Sequence, residues 1–237
     1  IGYQYNIEEV NAALQVDGAL PDRRARAARL VYQKFMYETA LVGKAEKGWR
    51  GLINQAGVTA TQAAGTGDSS PTSAWILNNG TINKTPDEII ADLNFVLTAT
   101  SVATLHTVIA DTILMPTELF QHLASTPRTA LSDTTILTWY LANNPYTATT
   151  SRPLRIMAVP ELRTAATVGV SGGGRIVAYR NEPTFIQLHL PMPHQFLPVY
   201  QDGPLNWMIP GIFRTGGVEV MATQTLRYLD GVMAAPG

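Results

Sequence analysis

Apolar positions recur at helical spacing through most of the first 140 residues and fall into short strand-like runs after residue 153. Residues 3–20 read as an ordered lead-in, with Tyr3, Tyr5, Ile7 and Val10 apolar or aromatic and a turn at Asp17-Gly18. Pro21-Asp22 offers a helix start, and Val31, Phe35, Glu38 and Val42 then share one face at i, i+4, i+7 and i+11, with Met36 and Leu41 beside it. The helix breaks at Gly43 and leads into the glycine-paced segment VGKAEKGWRGLINQAG. Residues 51–83 hold one charge, Asp68, and their Ala, Gly, Ser and Thr content predicts a loop or irregular edge, with a domain boundary near residue 56.

Thr85-Pro86-Asp87-Glu88 combines a capping box with proline at the first helical position. Ile89, Ile90, Leu93, Val96 and Leu97 follow as an amphipathic stripe. Residues 105–114 read as a strand. Met115-Pro116-Thr117-Glu118 opens a short helix through Leu123. Ser132-Asp133 caps another carrying Ile136, Leu137, Tyr140 and Leu141, which ends at Asn143-Asn144-Pro145. Beyond residue 153, PLRIMAVP, GRIVAY, TFIQLHL, GGVEVMAT and TLRYLDGV are short runs punctuated by Gly and Pro, the pattern of strands. Helices early and strands late predict an α+β fold with no internal repeat.

Charge changes this picture at one place. Asp22 to Arg50 holds eight of the 17 Lys and Arg against three acidic residues, a local net charge of +5 in a chain of net −1. Arg23, Arg24, Arg26 and Arg29 crowd the first turns of the helix, where the dipole disfavours cations, so they answer either an external partner or scattered ion pairs on a solvated face. Charged residues make up 15% of the chain, below the roughly 25% of an average soluble domain. Weakly charged surface suits association, because desolvating charge opposes it. No apolar run reaches the ~20 residues that span a bilayer. With no cysteine, disulfides and Cys-based zinc sites are excluded. The first residue is not Met, which points to a processed or trimmed product.

Catalytic chemistry finds little support. His106 and Asp111 are an odd spacing apart in the predicted strand and point to opposite faces. His189 and His194 flank two prolines with no acidic neighbour in sequence, and His122 stands alone, so no metal or cofactor is predicted. Ser171-Gly172-Gly173-Gly174-Arg175 resembles a phosphate cradle, but a strand pattern follows it where a helix is needed, and Gly65-Thr66-Gly67 fails likewise. The basic segment lacks interleaved aromatics and any reading motif for nucleic acid, which leaves non-specific phosphate contact or pairing between copies.

The order of these segments resembles the major capsid proteins of tailed phages, the fold named after the phage HK ninety-seven and shared by encapsulins. The residues that carry the resemblance are FMYETALVG closing the basic helix, the glycine-spaced KAEKGWRGLINQAGVTAT with Gly43, Gly48, Gly51, Leu52 and Asn54, then NKTPDEIIADLNFVLTAT, TVIADTILMPTELFQHL and the closing RTGGVEVMATQTLRYLDGV. The resemblance implies a peripheral domain of residues 1–55 and 195–237, built on a long spine helix plus strands, and an axial domain of residues 56–194. It implies a structural, non-enzymatic coat protein that self-assembles as pentamers and hexamers into an icosahedral shell around phage or prophage double-stranded DNA, located in the virion and, during assembly, in the host cytoplasm. Implied partners are copies of itself, non-specific packaged DNA, and scaffold, portal or cement proteins, with no membrane.

Candidate assembly contacts are Arg23, Arg24, Arg26, Arg29, Lys44, Lys47 and Arg50, and Gly48 and Gly51 let the chain turn after the helix. Reversing Arg24 and Arg26 to Glu is expected to impair particle formation and leave the subunit folded. The family places an N-terminal arm and an extended loop before the spine helix. The residues before Asp22 are too few for both, so either they were removed from a longer chain or this member lacks them. The alternatives are an encapsulin-type compartment, a tail or other phage structural protein, and a hydrolase built from His106, His189 or His194 with distant carboxylates.

Overall fold

The computed structural model describes residues 1–16, 20–68, 73–77, 79–129, 131, 133–169 and 171–235. The Asp17-Gly18 turn and Ser132 lie outside them. The early elements are β1 (Tyr3–Asn6), α1 (Ile7–Val16), α2 (Leu20–Leu41), β2 (Gly43–Lys44), β3 (Trp49–Arg50) and β4 (Ala60–Gln62). The middle holds α3 (Pro86–Ala103), β5 (Thr112–Met115), α4 (Thr117–Ser125), α5 (Ile136–Ala142), α6 (Pro145–Thr150) and β6 (Arg155–Ala158). Then come β7 (Gly174–Tyr179), β8 (Ile186–His189), β9 (Met192–Phe196), β10 (Tyr200–Gln201), β11 (Asn206–Ile209), β12 (Gly211–Arg214), β13 (Gly217–Val220) and β14 (Leu226–Met233). Helices concentrate early and strands late, so the α+β expectation holds.

The chain divides into two compact units, Ile1–Leu52 with Leu188–Glu219, and Ile53–Gln187 with Val220–Gly237. The division implied by the resemblance is 1–55 with 195–237 and 56–194, while the compact units change over after Leu52, Gln187 and Glu219. The larger difference is the C-terminus. Strand β14 was expected to complete the N-terminal unit, but it pairs with β7 and β4 in the sheet of the other. Pairing partners this far apart in sequence leave no local trace.

In the second unit the sheet order is β4-β14-β7-β5-β6. The β14-β7 and β7-β5 pairs are antiparallel, and the outer pairs β5-β6 and β14-β4 are parallel. Strand β7 is buried on both faces over Gly174–Ala178, which is why GRIVAY reads as a continuous run and not as an alternation. Helix α3 is capped as its sequence specifies. The Thr85 side chain accepts from Glu88 N–H and the Glu88 carboxylate accepts from Thr85 N–H, with Pro86 at the first position. Those hydrogen bonds hold the Glu88 carboxyl below its usual range. Ile89, Leu93, Val96 and Leu97 are fully buried in one cluster with Ile113, Met115, Leu119, Leu123, Ile136 and Tyr140.

Two ion pairs lie inside this unit. Lys84 Nζ donates to Asp92 Oδ2 at 2.7 Å and to the Ala64 carbonyl at 2.6 Å, and Trp75 Nε1 donates to the same carboxylate oxygen at 2.7 Å. Burial pushes the Asp92 carboxyl up, against the opposing pull of Lys84 and Trp75. Arg175 grips Asp230 through Nε at 2.6 Å and a terminal nitrogen at 2.7 Å, while its other terminal nitrogen donates to the Ile53 carbonyl at 2.6 Å. Asp230 also accepts from the Thr167 and Val168 amides at 2.8 and 3.0 Å. The glycine-rich approach to Arg175 is therefore a turn into a strand, as expected, and its arginine is a core anchor.

Three local expectations change. The predicted strand 105–114 shrinks to Thr112–Met115. Ahead of it Leu105 and His106 take left-handed φ values of 52° and 62°, closing α3 around the Thr104 hydroxyl, which donates to the carbonyls of Thr100 and Val108. The cap of α5 is Thr135, whose side chain accepts from Thr138 N–H, and not Ser132-Asp133. Asn143-Asn144-Pro145 ends α5, but Asn144 also caps α6 with Pro145 at its first position.

The first unit is thinner. Strands β1, β11 and β10 form one antiparallel sheet, with Tyr3 opposite Ile209, and β9 pairs with β12. The inward face of α2 is carried by Ala28, Tyr32, Phe35 and Thr39, not by the predicted Val31–Phe35–Val42 stripe, for Val31 and Val42 are exposed. Tyr32 stacks on His194 with ring centroids 5.0 Å apart and meets Phe213 edge-on, as does Phe35. Aromatic rings contributed by β9 and β12 select which face of the helix turns inward, and helix periodicity alone does not reveal them.

Candidate assembly surface

The turn after α2 depends on three glycines in two different ways. Gly43 adopts φ +84°, and a Cβ there would lie 2.4 Å from the Trp49 carbonyl oxygen. A Cβ on Gly51 would lie 2.1 Å from the Leu41 carbonyl oxygen, so the chain can return past the helix end only as glycine. Gly48 has open space around it but a φ of +68°, the left-handed cap of the 3-10 turn Ala45–Lys47. The β2-β3 ladder closes the turn, pairing Gly43 with Arg50 and Lys44 with Trp49.

The seven candidate cations separate on inspection. Arg24 points back into its own unit, donating to Glu9 at 2.9 Å and to the Gln4 carbonyl. Arg24, with the Asn6 amide, holds the Glu9 carboxyl below its ordinary range. Arg29 lies over the Phe196 ring at 5.7 Å, Lys47 over Trp49 at 4.9 Å, and Lys44 over Phe35 at 5.0 Å and 3.7 Å from Glu38. These four are tied to intrachain partners. Exposure does not sort them, for Arg23, Arg26, Arg29, Lys47 and Arg50 are all exposed. The expected outcome of reversing Arg24 together with Arg26 needs correction, since a glutamate at 24 would face Glu9 and loosen the lead-in strand and helix.

What the charge pattern concealed is an apolar one. On the outward face of α2, Leu30 is 66% exposed and Tyr37 45% exposed, and they alternate with Arg26 and Lys34 at helical spacing. Sequence reasoning missed this stripe because the face it drew runs through Val31, Phe35, Glu38 and Val42 and leaves Leu30 and Tyr37 unassigned. Beside the turn, Phe35, Lys47, Trp49, Phe213 and Arg214 line a groove of about 520 Å³ within the same unit. An aromatic floor with cations at its margin suits a chain segment with carboxylates.

The histidines are dispersed. His106 sits in the left-handed turn with Nδ1 3.2 Å from Ser101 Oγ. His122 is buried on α4 against Thr126, and burial lowers its pKa. His189 finds Glu219 at 2.6 Å, a partner 30 residues away that its own neighbourhood does not contain. His194 bonds the Ile1 carbonyl at 2.9 Å. Among the described residues no three His, Asp or Glu side chains come together as a metal site, and no helix is long and apolar enough to cross a membrane.

A thin α+β unit with an exposed apolar stripe on α2 is joined by sequence to a unit with a closed core. The chain belongs to the major capsid protein family, whose model matches residues 1–232, and its role is structural. The fold is similar to that of the capsid of Myoviridae phage XM1, with a TM-score of 0.74 at 19% identity over 97% of this chain and 71% of that one. It is also similar to a virus-like particle from Pyrococcus furiosus (TM-score 0.54, 10% identity, 97% and 75% covered) and to a phage-related protein from Bordetella bronchiseptica (TM-score 0.55, 12% identity, 98% and 74% covered). No curated protein matches the chain. The resemblance drawn from the spine helix, glycine turn and closing strands is thereby established at the level of family and fold.

Proposed function

We propose that this chain forms the wall of an icosahedral virion shell around double-stranded DNA, with pentamers and hexamers of identical copies as its building blocks. The unit of residues 1–52 and 188–219 takes the peripheral place and the unit of residues 53–187 and 220–237 the axial one. The observation that carries this reading is the outward stripe of α2, where apolar and basic side chains alternate on a helix whose inner face is already packed. Modest contacts suffice, because copies in a closed lattice hold one another at high effective concentration. Closed symmetry ends growth. Scaffold, portal and cement proteins are the further partners that such a shell takes, the virion is its location, and the host cytoplasm is where it assembles.

Arg26→Glu combined with Leu30→Glu tests the reading without touching Arg24. The variant subunit keeps its thermal unfolding midpoint, and negative-stain microscopy shows particle yield falling at least tenfold. Particles at wild-type yield from the variant count against the α2 stripe as a contact. A wild-type chain that forms no particles or oligomers under any condition defeats the shell function itself.

A further inference from the structure

Strands β9 to β12 make a long hairpin whose two ends carry complementary surfaces. At its base β9 pairs with β12, with Met192 opposite Arg214. Toward its tip β10 pairs with β11, with Gln201 opposite Trp207. The chain from Met192 to Gln201 covers ~30 Å if extended. The groove floored by Phe35, Trp49 and Phe213 lies at the base. Lys47 and Arg214 at its margin are exposed to solvent. Among the described residues Arg214 has no ion-pair partner.

The tip is a fixed turn. Asp202 N–H donates to Asn206 O at 2.9 Å, Gln201 Nε2 to Pro204 O at 3.1 Å, and Ile7 N–H to Leu205 O at 3.0 Å. Around the exposed Asp202 carboxylate, Val199, Tyr200 and Leu205 are 50%, 48% and 47% exposed. Glu9, Glu38 and Glu219 of the same unit are already answered by Arg24, Lys44 and His189. Asp202 has no ion-pair partner among the described residues. No tip residue lines the groove of its own chain. A neutral apolar segment laid over the groove would bury Arg214 without a counter-charge, which is costly. Apolar side chains beside a carboxylate, as the tip presents them, cover the aromatic floor and answer the cation together.

We infer that the groove at the base of the β9–β12 hairpin is the receptor for the Val199–Leu205 tip of a second copy, with Tyr200 and Leu205 over the aromatic floor and Asp202 facing Arg214 and Lys47. A turn already held by its own hydrogen bonds loses little freedom on docking. The contact is heterologous, since the two surfaces differ, and repeated around an axis it closes a ring. This rests on the shell reading above and adds which surfaces of one unit meet.

The absence of cysteine makes the test free of background. Full-length chain carrying Lys47→Cys and Leu205→Cys, with Asp202 and Arg214 intact, is assembled, oxidised mildly and run on a non-reducing gel beside each single variant. The expected result is a ladder of covalent dimers and higher multimers at least tenfold stronger than from either single variant. A charge exchange guards against a folding artefact. Asp202→Arg and Arg214→Asp each lower particle yield at least tenfold with the subunit unfolding midpoint unchanged, and the combination recovers most of the yield. Particles that form without the ladder, a ladder equally strong from one single variant, or an exchange that recovers nothing overturn the inference and leave the shell function standing. If Lys47→Cys becomes unreactive to a thiol reagent on assembly while Leu205→Cys stays reactive, another segment fills the groove and the tip is not its ligand. A wild-type chain that never assembles overturns both readings.

Discussion

The two units bury apolar surface to very different extents. The main buried cluster, from Ala63 to Met233, lies wholly within the 53–187 and 220–237 unit. In the other, Ala28, Leu41 and Leu52 are the buried hydrophobics among the described residues. That unit nevertheless displays twelve of the 21 exposed large hydrophobics among the described residues, although it holds just over a third of the chain. Burial of apolar area is the main favourable term in folding and in association alike. A unit that leaves so much of it uncovered in the single chain has its stabilisation still to gain, from neighbours. The difference is a division of labour. One unit closes around its own core and is expected to fold on it, and the other is held by turns, aromatic rings and short ladders and leaves apolar surface exposed.

The sharpest way to break this comparison is to strike the anchor of the closed unit. Asp230→Ala leaves Arg175 buried without its partner and strips the Thr167 and Val168 amides of their acceptor. Loss of one member of a buried pair costs about 3–5 kcal/mol. Thermal unfolding should show the main transition shifted far downward. A shift of a few tenths of a degree would mean that the ion pair is incidental to that core.

A smaller effect is expected in the thin unit. Gly51→Ala drives a methyl group into the Leu41 carbonyl, an overpacking that costs about 1–3 kcal/mol. Hydrogen exchange should accelerate at the 43–52 turn and along the end of α2, while α3 and β7 amides keep their protection. Equal acceleration in α3 would show the two units unfolding as one, and the proposed independence would fail.

The smallest effect concerns acid. Burial keeps the His122 imidazole below its ordinary pKa, so the folded chain takes up that proton less readily than the unfolded chain. Its contribution to stability is full above about pH 6.5 and is lost as pH falls from there through the folded value. His122→Gln should flatten stability against pH across that window. An unchanged slope in the variant would assign the acid sensitivity to other groups.

Much of the architecture was legible where the cause is local. The capping box at Thr85-Pro86-Asp87-Glu88 satisfies orphan amides within four residues, and it stands in the structure as read. The glycine turn was legible as well, because close approach and left-handed φ admit few other residues. Legibility ended where a side chain's partner is remote. Val31 and Val42 looked like core because helix periodicity cannot say which face meets aromatic rings arriving from β9 and β12. The partners of Arg24, Glu9 and Gln4, are not legible from its own neighbourhood because they belong to other elements. His189 looked solitary because Glu219 reaches it across the β8-β13 ladder. Asn144-Pro145 carries both a stop for α5 and a start for α6, and the stop alone is the reading that helix periodicity suggests.

The α+β class, the spine helix with its glycine turn, the capped α3 and the capsid resemblance are legible in residue order, since each depends on spacing over a turn or two of chain. Only the folded chain shows that β14 belongs to the sheet of the second unit, that Arg24, Arg29, Lys44 and Lys47 have partners within the chain, and that α3 exposes Phe95 and Val102. The physical reason is common to all three. Burial and ion pairing depend on distance in space, and residues 55 or 200 positions apart are brought within hydrogen-bond reach only when the whole chain has folded.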